Sequence, residues 1–369
     1  MKILLTCGGT AGHINPAIAV ASKMKKEDPE CEILFVGAQD RMEMNLVPKE
    51  GFEIKSVNIT NLSREISVNG LIHNYHTLRN VFFSTAQAKD IIRNFKPDVV
   101  IGTGGYVCYP VLTAANSLRI PTIIHESNAQ PGLTTKLLAK KADRILVGFE
   151  HCREAYKDTK KVIVTGTPVR EAFSEKVTEN NIEENNKEPL VLSFWGSLGA
   201  QRMNNIMLEM IPLLSKRQLR LVHVTGSMYY KSFMDRIMEI CPDYSSLGVE
   251  IYEYLHDMPN YMKSADLVIC RAGASTLSEL TFIGKPSILV PSPNVTANHQ
   301  EKNARMLEKV GAARVLLEDE FDAEKLLKHI TSMIGDRESL KKMGKSAAAL
   351  SQTDAAEKIC CVIREVQRS

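Results

Sequence analysis

The chain has 369 residues, which at roughly 100–200 residues per domain predicts two domains. Apolar residues make up 44% and charged residues 24%, the composition of a folded globular protein, and a formal net charge of +3 gives no reason to expect a nucleic-acid partner. No apolar run approaches the roughly 18–20 residues that cross a bilayer.

The first residues, Met1-Lys2-Ile3-Leu4-Leu5-Thr6-Cys7, hold too short an apolar run for a secretory signal and make Cys7 a poor lipidation site, so a cytoplasmic location is expected. In chain order, apolar runs ending in Gly, Ser, Thr or Asn predict strands at 3–6, 32–36, 99–101, 122–124, 144–147 and 162–164. A second set follows at 190–194, 219–224, 249–252, 267–270, 287–290 and 313–316. Continuous rather than alternating hydrophobicity means strands buried on both faces, and strand–helix alternation predicts an α/β fold of parallel sheets covered by helices. Between the two sets, residues 171–188 include the polar, acidic Thr178-Glu179-Asn180-Asn181-Ile182-Glu183-Glu184, which reads as a surface loop near a domain boundary. Eight cysteines without a Cys-x-x-Cys pair predict reduced thiols, with neither a zinc site nor a disulfide framework; Cys360-Cys361 reads as packing in a helical tail.

The segments opening the two halves are alike. Ile3-Leu4-Leu5-Thr6-Cys7-Gly8-Gly9-Thr10-Ala11-Gly12 and Leu190-Val191-Leu192-Ser193-Phe194-Trp195-Gly196-Ser197-Leu198-Gly199 each read as a strand and a glycine turn that leads into a helix. Each half therefore opens as a Rossmann-like unit. Four glycine turns follow apolar strands: 8–13, 102–106, 196–199 and 271–276. A glycine turn feeding a helix aims backbone N–H groups and the positive dipole end at a phosphate; the plainer reading is that glycine permits a tight turn. The first turn is no Gly-x-Gly-x-x-Gly, which weakens a dinucleotide enzyme. Met343-Gly344-Lys345-Ser346 ends like a P-loop, but Ser339 occupies the first glycine position and the segment reads helical. With no Asp-x-Asp at a strand end, a diphosphate is expected to meet backbone dipoles and polar side chains, with no cofactor required and any divalent-metal stimulation open.

Taken in order, Gly8-Gly9-Thr10-Ala11-Gly12-His13, Gly102-Thr103-Gly104-Gly105-Tyr106-Val107, His125-Glu126-Ser127-Asn128, Gly166-Thr167-Pro168-Val169-Arg170, Gly196-Ser197-Leu198-Gly199-Ala200, Arg271-Ala272-Gly273-Ala274 with Ser278-Glu279, and Asn298-His299-Gln300 with Asn303 resemble the MurG family of bacterial N-acetylglucosaminyltransferases. The resemblance covers nearly the whole chain. It implies a GT-B architecture of two Rossmann-like domains facing a cleft, 1–165 plus 353–369 for the acceptor and membrane, and 166–352 for UDP-GlcNAc. It also implies inverting transfer of GlcNAc from UDP-GlcNAc to the MurNAc 4-hydroxyl of lipid I, giving lipid II for peptidoglycan at the cytoplasmic face of the plasma membrane. Four positions depart from the family: Trp195 replaces a common glycine, Thr135 a common asparagine, and Cys108-Tyr109 a small Ser-Gly pair.

Inverting transfer needs a base for the acceptor hydroxyl proton. His13 is the first candidate, since imidazole titrates near neutrality and the positive helix end favours its unprotonated form; diphosphate binding and structural capping are its other readings. His125 with Glu126 is the alternative pair. Thr10, Ala11, Gly12, Gly104 and Tyr106 are implied substrate-binding residues, and Asn128 is implied to bridge donor and acceptor. On the donor side, Glu279 is expected at the ribose diol, Arg271 at the leaving diphosphate and Ser197 near phosphate or sugar, with Asn204, Ala274 and Ser275 as further substrate-binding residues. Gln300 and Asn303 fit sugar hydroxyls, Leu255 offers backbone to uracil, and Arg170 contacts donor phosphate or braces the hinge. Glu279 also reads as a dipole-facing first-turn Glu, and Gln300 and Asn303 as helix caps.

Residues 71–95 combine Leu71, Ile72, Tyr75, Leu78, Phe82 and Phe83 with His73, His76, Arg79, Lys89 and Arg93, and Lys140, Lys141 and Arg144 add charge. An apolar patch ringed by cations suits an anionic membrane surface; packing on the domain's own core is the alternative. A UDP-GlcNAc 2-epimerase and a non-catalytic sugar-nucleotide binder are the competing functions.

Overall fold

The computed structural model describes residues 1–59, 68–174, 188–196, 198–216, 219–295 and 298–368, with the backbone alone at 68–79, 151 and 215–216. Ser197, most of the acidic 171–188 segment and the side chains of Leu71, Ile72, His73, Tyr75, His76, Leu78 and Arg79 therefore lie outside the described residues. The chain forms two compact units, Met1–Arg170 with Gln352–Ser369, and Glu171–Ser351.

In the first unit β1 (Lys2–Thr6), β2 (Glu32–Ala38), β3 (Glu53–Val57), β4 (Val99–Gly102), β5 (Thr122–Glu126), β6 (Arg144–Val147) and β7 (Val162–Val164) form a sheet in the order β3-β2-β1-β4-β5-β6-β7, parallel throughout. Its helices are α1 (Ala11–Glu27), α2 (Glu43–Lys49), α3 (Val68–Phe95), α4 (Cys108–Ser117) and α5 (Leu133–Leu138). β1 shows why the strand runs are continuously apolar. Leu4 packs with Ile92, Leu112 and Leu138 of α3, α4 and α5, whereas Ile3 and Leu5 pack with Ile14 and Met24 of α1 on the other face.

The second unit repeats the plan with β8 (Leu190–Phe194), β9 (Arg220–Val224), β10 (Val249–Tyr252), β11 (Leu267–Cys270), β12 (Ser287–Leu289) and β13 (Arg314–Val315), ordered β10-β9-β8-β11-β12-β13. Its helices are α6 (Gln201–Met210), α7 (Tyr230–Ile240), α8 (Met258–Ser264), α9 (Ala274–Phe282), α10 (His299–Lys309), α11 (Ala323–Gly335) and α12 (Arg337–Ala349). α13 (Ala355–Arg368) returns to the first unit and lays Ile359, Ile363 and Val366 on α1, where Arg364 pairs with Glu27. Cys360 is buried there and Cys361 exposed; all eight cysteines are free thiols.

In each sheet the chain runs outward from the first strand, then returns to that strand's other side. The strand order thus reverses between β1 and β4, and again between β8 and β11. Such switch points are where open α/β sheets bind ligands, at the carboxyl ends of the strands. All four predicted glycine turns sit at these two places.

Candidate functional site

At the first switch point the turn after β1 packs on the turn after β4. Gly105 has φ +92°, and a Cβ there would lie 2.3 Å from the Gly8 carbonyl oxygen, so only glycine fits. The Gly8 N–H donates to the Gly104 carbonyl at 3.2 Å. A Cβ on Gly104 would strike the His13 ring at 2.4 Å, so the imidazole lies directly against that glycine. Thr103 Oγ1 donates to the His13 carbonyl at 2.7 Å. The decisive contact is His13 Nδ1 to the Gly8 carbonyl, 3.0 Å. A carbonyl only accepts, so in the neutral ring this contact places the proton on Nδ1 and the lone pair on Nε2. Thr10, at the N-cap of α1, makes no side-chain capping bond, and the first turn carries no acidic residue. Ala11 and Gly12 therefore begin a helix whose N-terminus is electrostatically open to an anion. Tyr106 packs against Gly9, and its partial burial raises the phenol pKa, with Arg41 opposing.

Beneath these turns lies a residue that the motifs did not reveal. Glu43, fully buried in the first turn of α2, accepts the Gly9 N–H at 3.1 Å and the Ala38 N–H at 2.9 Å. Cβ atoms at Gly8 and Gly37 would approach its carboxylate and its Cγ to 2.3 and 2.5 Å, which explains both glycines.

His125 and Glu126, at the end of β5, are engaged differently from the expectation. His125 is buried, which lowers its pKa, and its Nε2 donates to the Gly166 carbonyl at 2.9 Å. Glu126 accepts at Oε1 from Asn128 N and Nδ2, 3.1 and 2.9 Å, and at Oε2 from Gly132 N and Thr135 Oγ1, 2.9 and 2.7 Å. Both oxygens are committed to shaping the loop that enters α5. Thr135, the departure from the family pattern, supplies the shortest of these bonds. His125 and Glu126 thus both hold partners within the first unit, and Asn128 is anchored by the same carboxylate. Arg170 closes the first unit, half-buried.

At the second switch point the turn after β8 packs on the turn after β9. Gly199 has φ +83°, and a Cβ on it would lie 2.0 Å from the Thr225 carbonyl oxygen. α9 begins at Gly273 with no side-chain cap, and buried Ala274 and Ser275 form its first turn. This is a second helix N-terminus suited to an anion. Glu279 is buried one turn further in, beyond the first-turn position that a dipole role would need. Gln300 Oε1 accepts the Ser292 N–H at 2.9 Å, and Asn303 Nδ2 reaches the Ala272 carbonyl at 3.4 Å, so α10 ties down the loops after β12 and β11. Leu255 is buried.

Two of the expected donor-side residues are held by partners within the second unit. Arg271 pairs with Glu318, donates from Nη1 to the carbonyls of Val290 (3.1 Å) and Pro291 (3.3 Å), and lies 5.9 Å from the Trp195 ring centroid. It is an internal brace, already neutralised, and Trp195 is its cover. Asn204 is buried, donating to the Thr225 carbonyl at 3.0 Å while its Oδ1 faces His223 Nε2 at 3.2 Å. His223 Nδ1 in turn meets Ser193 Oγ at 2.7 Å, and burial pushes the His223 pKa down to about 3. The Ser193–His223–Asn204–Thr225 chain holds β8, β9 and α6 together, and both polar ends of Asn204 are used in it. No sequence pattern pointed to His223 or Glu318, because their partners come from distant strands. Among the described residues no group of His, Cys, Asp and Glu is arranged to hold a metal ion.

Two Rossmann-like units with glycine turns at both switch points define the class, and comparison with known families agrees. Residues 3–147 match the glycosyltransferase family 28 N-terminal domain and residues 190–359 its C-terminal domain. The UDP-N-acetylglucosamine--N-acetylmuramyl-(pentapeptide) pyrophosphoryl-undecaprenol N-acetylglucosamine transferase of Acetivibrio thermocellus is 42% identical over 373 residues, covering 100% of this chain and 99% of its own length. The crystal structure of Acinetobacter baumannii MurG superimposes with a TM-score of 0.74 at 25% identity, covering 99% of both chains. A putative UDP-N-acetylglucosamine 2-epimerase from Listeria monocytogenes shares the fold, with TM-score 0.71 at 17% identity over 98% of this chain and 95% of its own. The chain belongs to the MurG family of glycosyltransferases, with the GT-B fold.

Proposed function

We propose that this protein transfers GlcNAc from UDP-GlcNAc to the 4-hydroxyl of MurNAc on undecaprenyl-pyrophosphoryl-MurNAc-pentapeptide, converting lipid I to lipid II with inversion at the sugar. The observation that carries the mechanism is the His13 Nδ1 contact to the Gly8 carbonyl, which presents Nε2 as a proton acceptor. His13 Nε2 takes the proton from the acceptor hydroxyl, that oxygen bonds to C1 of GlcNAc, and the C1–oxygen bond to UDP breaks with its electron pair leaving on UDP. The amides opening α9 at Ala274 and Ser275 receive the charge that develops on the diphosphate, while Arg271 remains with Glu318. The first unit takes the acceptor and the second UDP-GlcNAc, with Glu279 at the ribose and Gln300 and Asn303 shaping the loops around the sugar.

A peripheral membrane position fits the polyprenyl acceptor. Among the described residues no helix is long and apolar enough to cross a membrane. α3 exposes Phe82 (75%) and Phe83 (54%), and α5 exposes Leu133 and Leu137 beside Lys136 and Lys140. Both helices pack on α4, so these side chains lie on the same helical layer. Apolar groups flanked by cations suit the anionic leaflet on the cytoplasmic side.

The test supplies a lipid I analogue and labelled UDP-GlcNAc. A labelled disaccharide-lipid is expected; a free epimer would indicate the epimerase reaction, and binding without turnover a carrier.

A further inference from the structure

The end of the second sheet opposite the glycine turns holds a groove of about 920 Å³. It opens where the chain enters β8, β11 and β12, at Pro189, Asp266 and Pro286, and α12 forms its wall. The proposed reaction uses the carboxyl ends of these strands, so this site is separate from it.

Arg337, Lys341 and Lys345 of α12 all line the groove. Spaced four residues apart, they stand on one helical face and span about 12 Å at 1.5 Å per residue. All three are exposed, and among the described residues none makes an ion pair or hydrogen bond. Of the two acidic residues beside them, Asp336 is occupied as a helix cap, accepting from Ser339 N and Oγ, and Glu338 of α12 is exposed outside the groove lining. On the opposite side Lys285 Nζ donates to the Ala265 carbonyl at 2.6 Å, and burial lowers its pKa against the pull of Asp266. Two carboxylates, Glu188 and Asp266, line the same groove, and Asp266 accepts the Leu190 N–H at 2.8 Å. Cations therefore outnumber carboxylates. Ile283 and Ile334, both partly exposed, add apolar surface, and none of the described lining residues is aromatic.

Gly344 explains how α12 reaches this position. A Cβ on it would lie 2.6 Å from the Gly284 carbonyl oxygen, so glycine lets the helix lie against the chain entering β12. The Gly344-Lys345-Ser346 string is thus a helix contact, and no phosphate loop, but the contact sets Lys341 and Lys345 over the groove.

We propose that this groove docks an acidic amphipathic segment of a partner protein, its carboxylates one helical turn apart meeting Arg337, Lys341 and Lys345 and its apolar side chains covering Ile283 and Ile334. The arrangement favours a peptide over a compact polyphosphate. A phosphate cluster is gripped by cations converging on one point, whereas these are strung along a helix, and a nucleotide would lack an aromatic ring to stack on.

The test is fluorescence anisotropy on the full chain with a short fluorescein-labelled peptide of Glu, Leu and Ala, Glu recurring every fourth residue, against a scrambled peptide of equal composition. The patterned peptide is expected to bind roughly tenfold more tightly than the scrambled one and to weaken with salt. Lys341→Glu with Lys345→Glu is expected to lower its affinity by at least about tenfold, with GlcNAc transfer and thermal unfolding unchanged. The proposal is overturned if neither peptide binds, if both bind alike, or if the double variant binds as wild type does. Displacement of the patterned peptide by tripolyphosphate or by phosphatidylglycerol vesicles at lower concentration than unlabelled peptide also overturns it, and assigns the lysines to that ligand.

Discussion

The Glu43 carboxylate receives the Gly9 N–H at 3.1 Å, joining the start of α2 to the turn that carries the Gly8 carbonyl. That carbonyl in turn holds His13 Nδ1 at 3.0 Å. A buried side chain with no route to substrate thus governs where the imidazole points.

Glu43→Gln tests this chain of contacts. The amide keeps one accepting oxygen and turns an NH2 toward a second backbone donor, leaving a buried N–H unpaired at a cost of about 1–3 kcal/mol. The expected result is a lowered kcat with KM for UDP-GlcNAc near wild type, read by steady-state transfer assays, together with a lowered unfolding midpoint. Wild-type kcat would show that Glu43 does not position the imidazole.

Stability is expected to fall with acid, through His223. Its folded pKa of about 3 lies below the ordinary 6.5, so below pH 6.5 the unfolded chain binds a proton that the native state refuses. Stability contributed by this group is complete above 6.5 and declines as pH drops toward 3, with a slope of about 1.4 kcal/mol per pH unit. His125, whose pKa is also lowered, adds in the same direction in the first unit. Urea unfolding at pH 7.5 and pH 5 measures the slope, and His223→Gln is expected to reduce proton uptake on unfolding by about one proton per chain.

Two glycines separate backbone strain from steric exclusion. Gly196 has φ +84° with nothing within 4 Å of the place a Cβ would take, so Gly196→Ala is expected to cost only the left-handed penalty of about 1–2 kcal/mol. Gly105→Ala adds a collision with the Gly8 carbonyl, 2.3 Å away, and is expected to cost more and to lower kcat as well. Thermal unfolding of the two variants side by side gives the comparison.

The parallel strands were legible because each is apolar on both faces, and most observed bounds fall within two residues of the sequence reading. The exception is β3, an edge strand reading Glu53-Ile54-Lys55-Ser56-Val57, whose exposed alternate residues erase the continuous apolar run. The glycine turns at the strand ends were legible because the conformations that they need are local. The ion pair of Arg271 was hidden for the opposite reason. Its partner Glu318 lies 47 positions along the chain, and only the tertiary structure shows that the guanidinium is already satisfied. Glu43 and His223 were invisible on the same grounds.

Membrane association is expected to depend on the exposed aromatic pair. Phe82→Ser with Phe83→Ser is expected to weaken flotation with phosphatidylglycerol-containing liposomes while leaving the fold intact, because both rings are exposed. Flotation that is indifferent to the double substitution and to anionic lipid would contradict the membrane reading.

The most direct measurement compares wild type and His13→Ala in the transfer of labelled GlcNAc to a lipid I analogue across pH. Wild type is expected to yield a labelled disaccharide-lipid, and the variant a kcat lowered by roughly 10²–10⁴-fold with loss of the acidic limb of the pH profile. Near-full turnover by His13→Ala with an unchanged profile would contradict the assignment of His13 as the base.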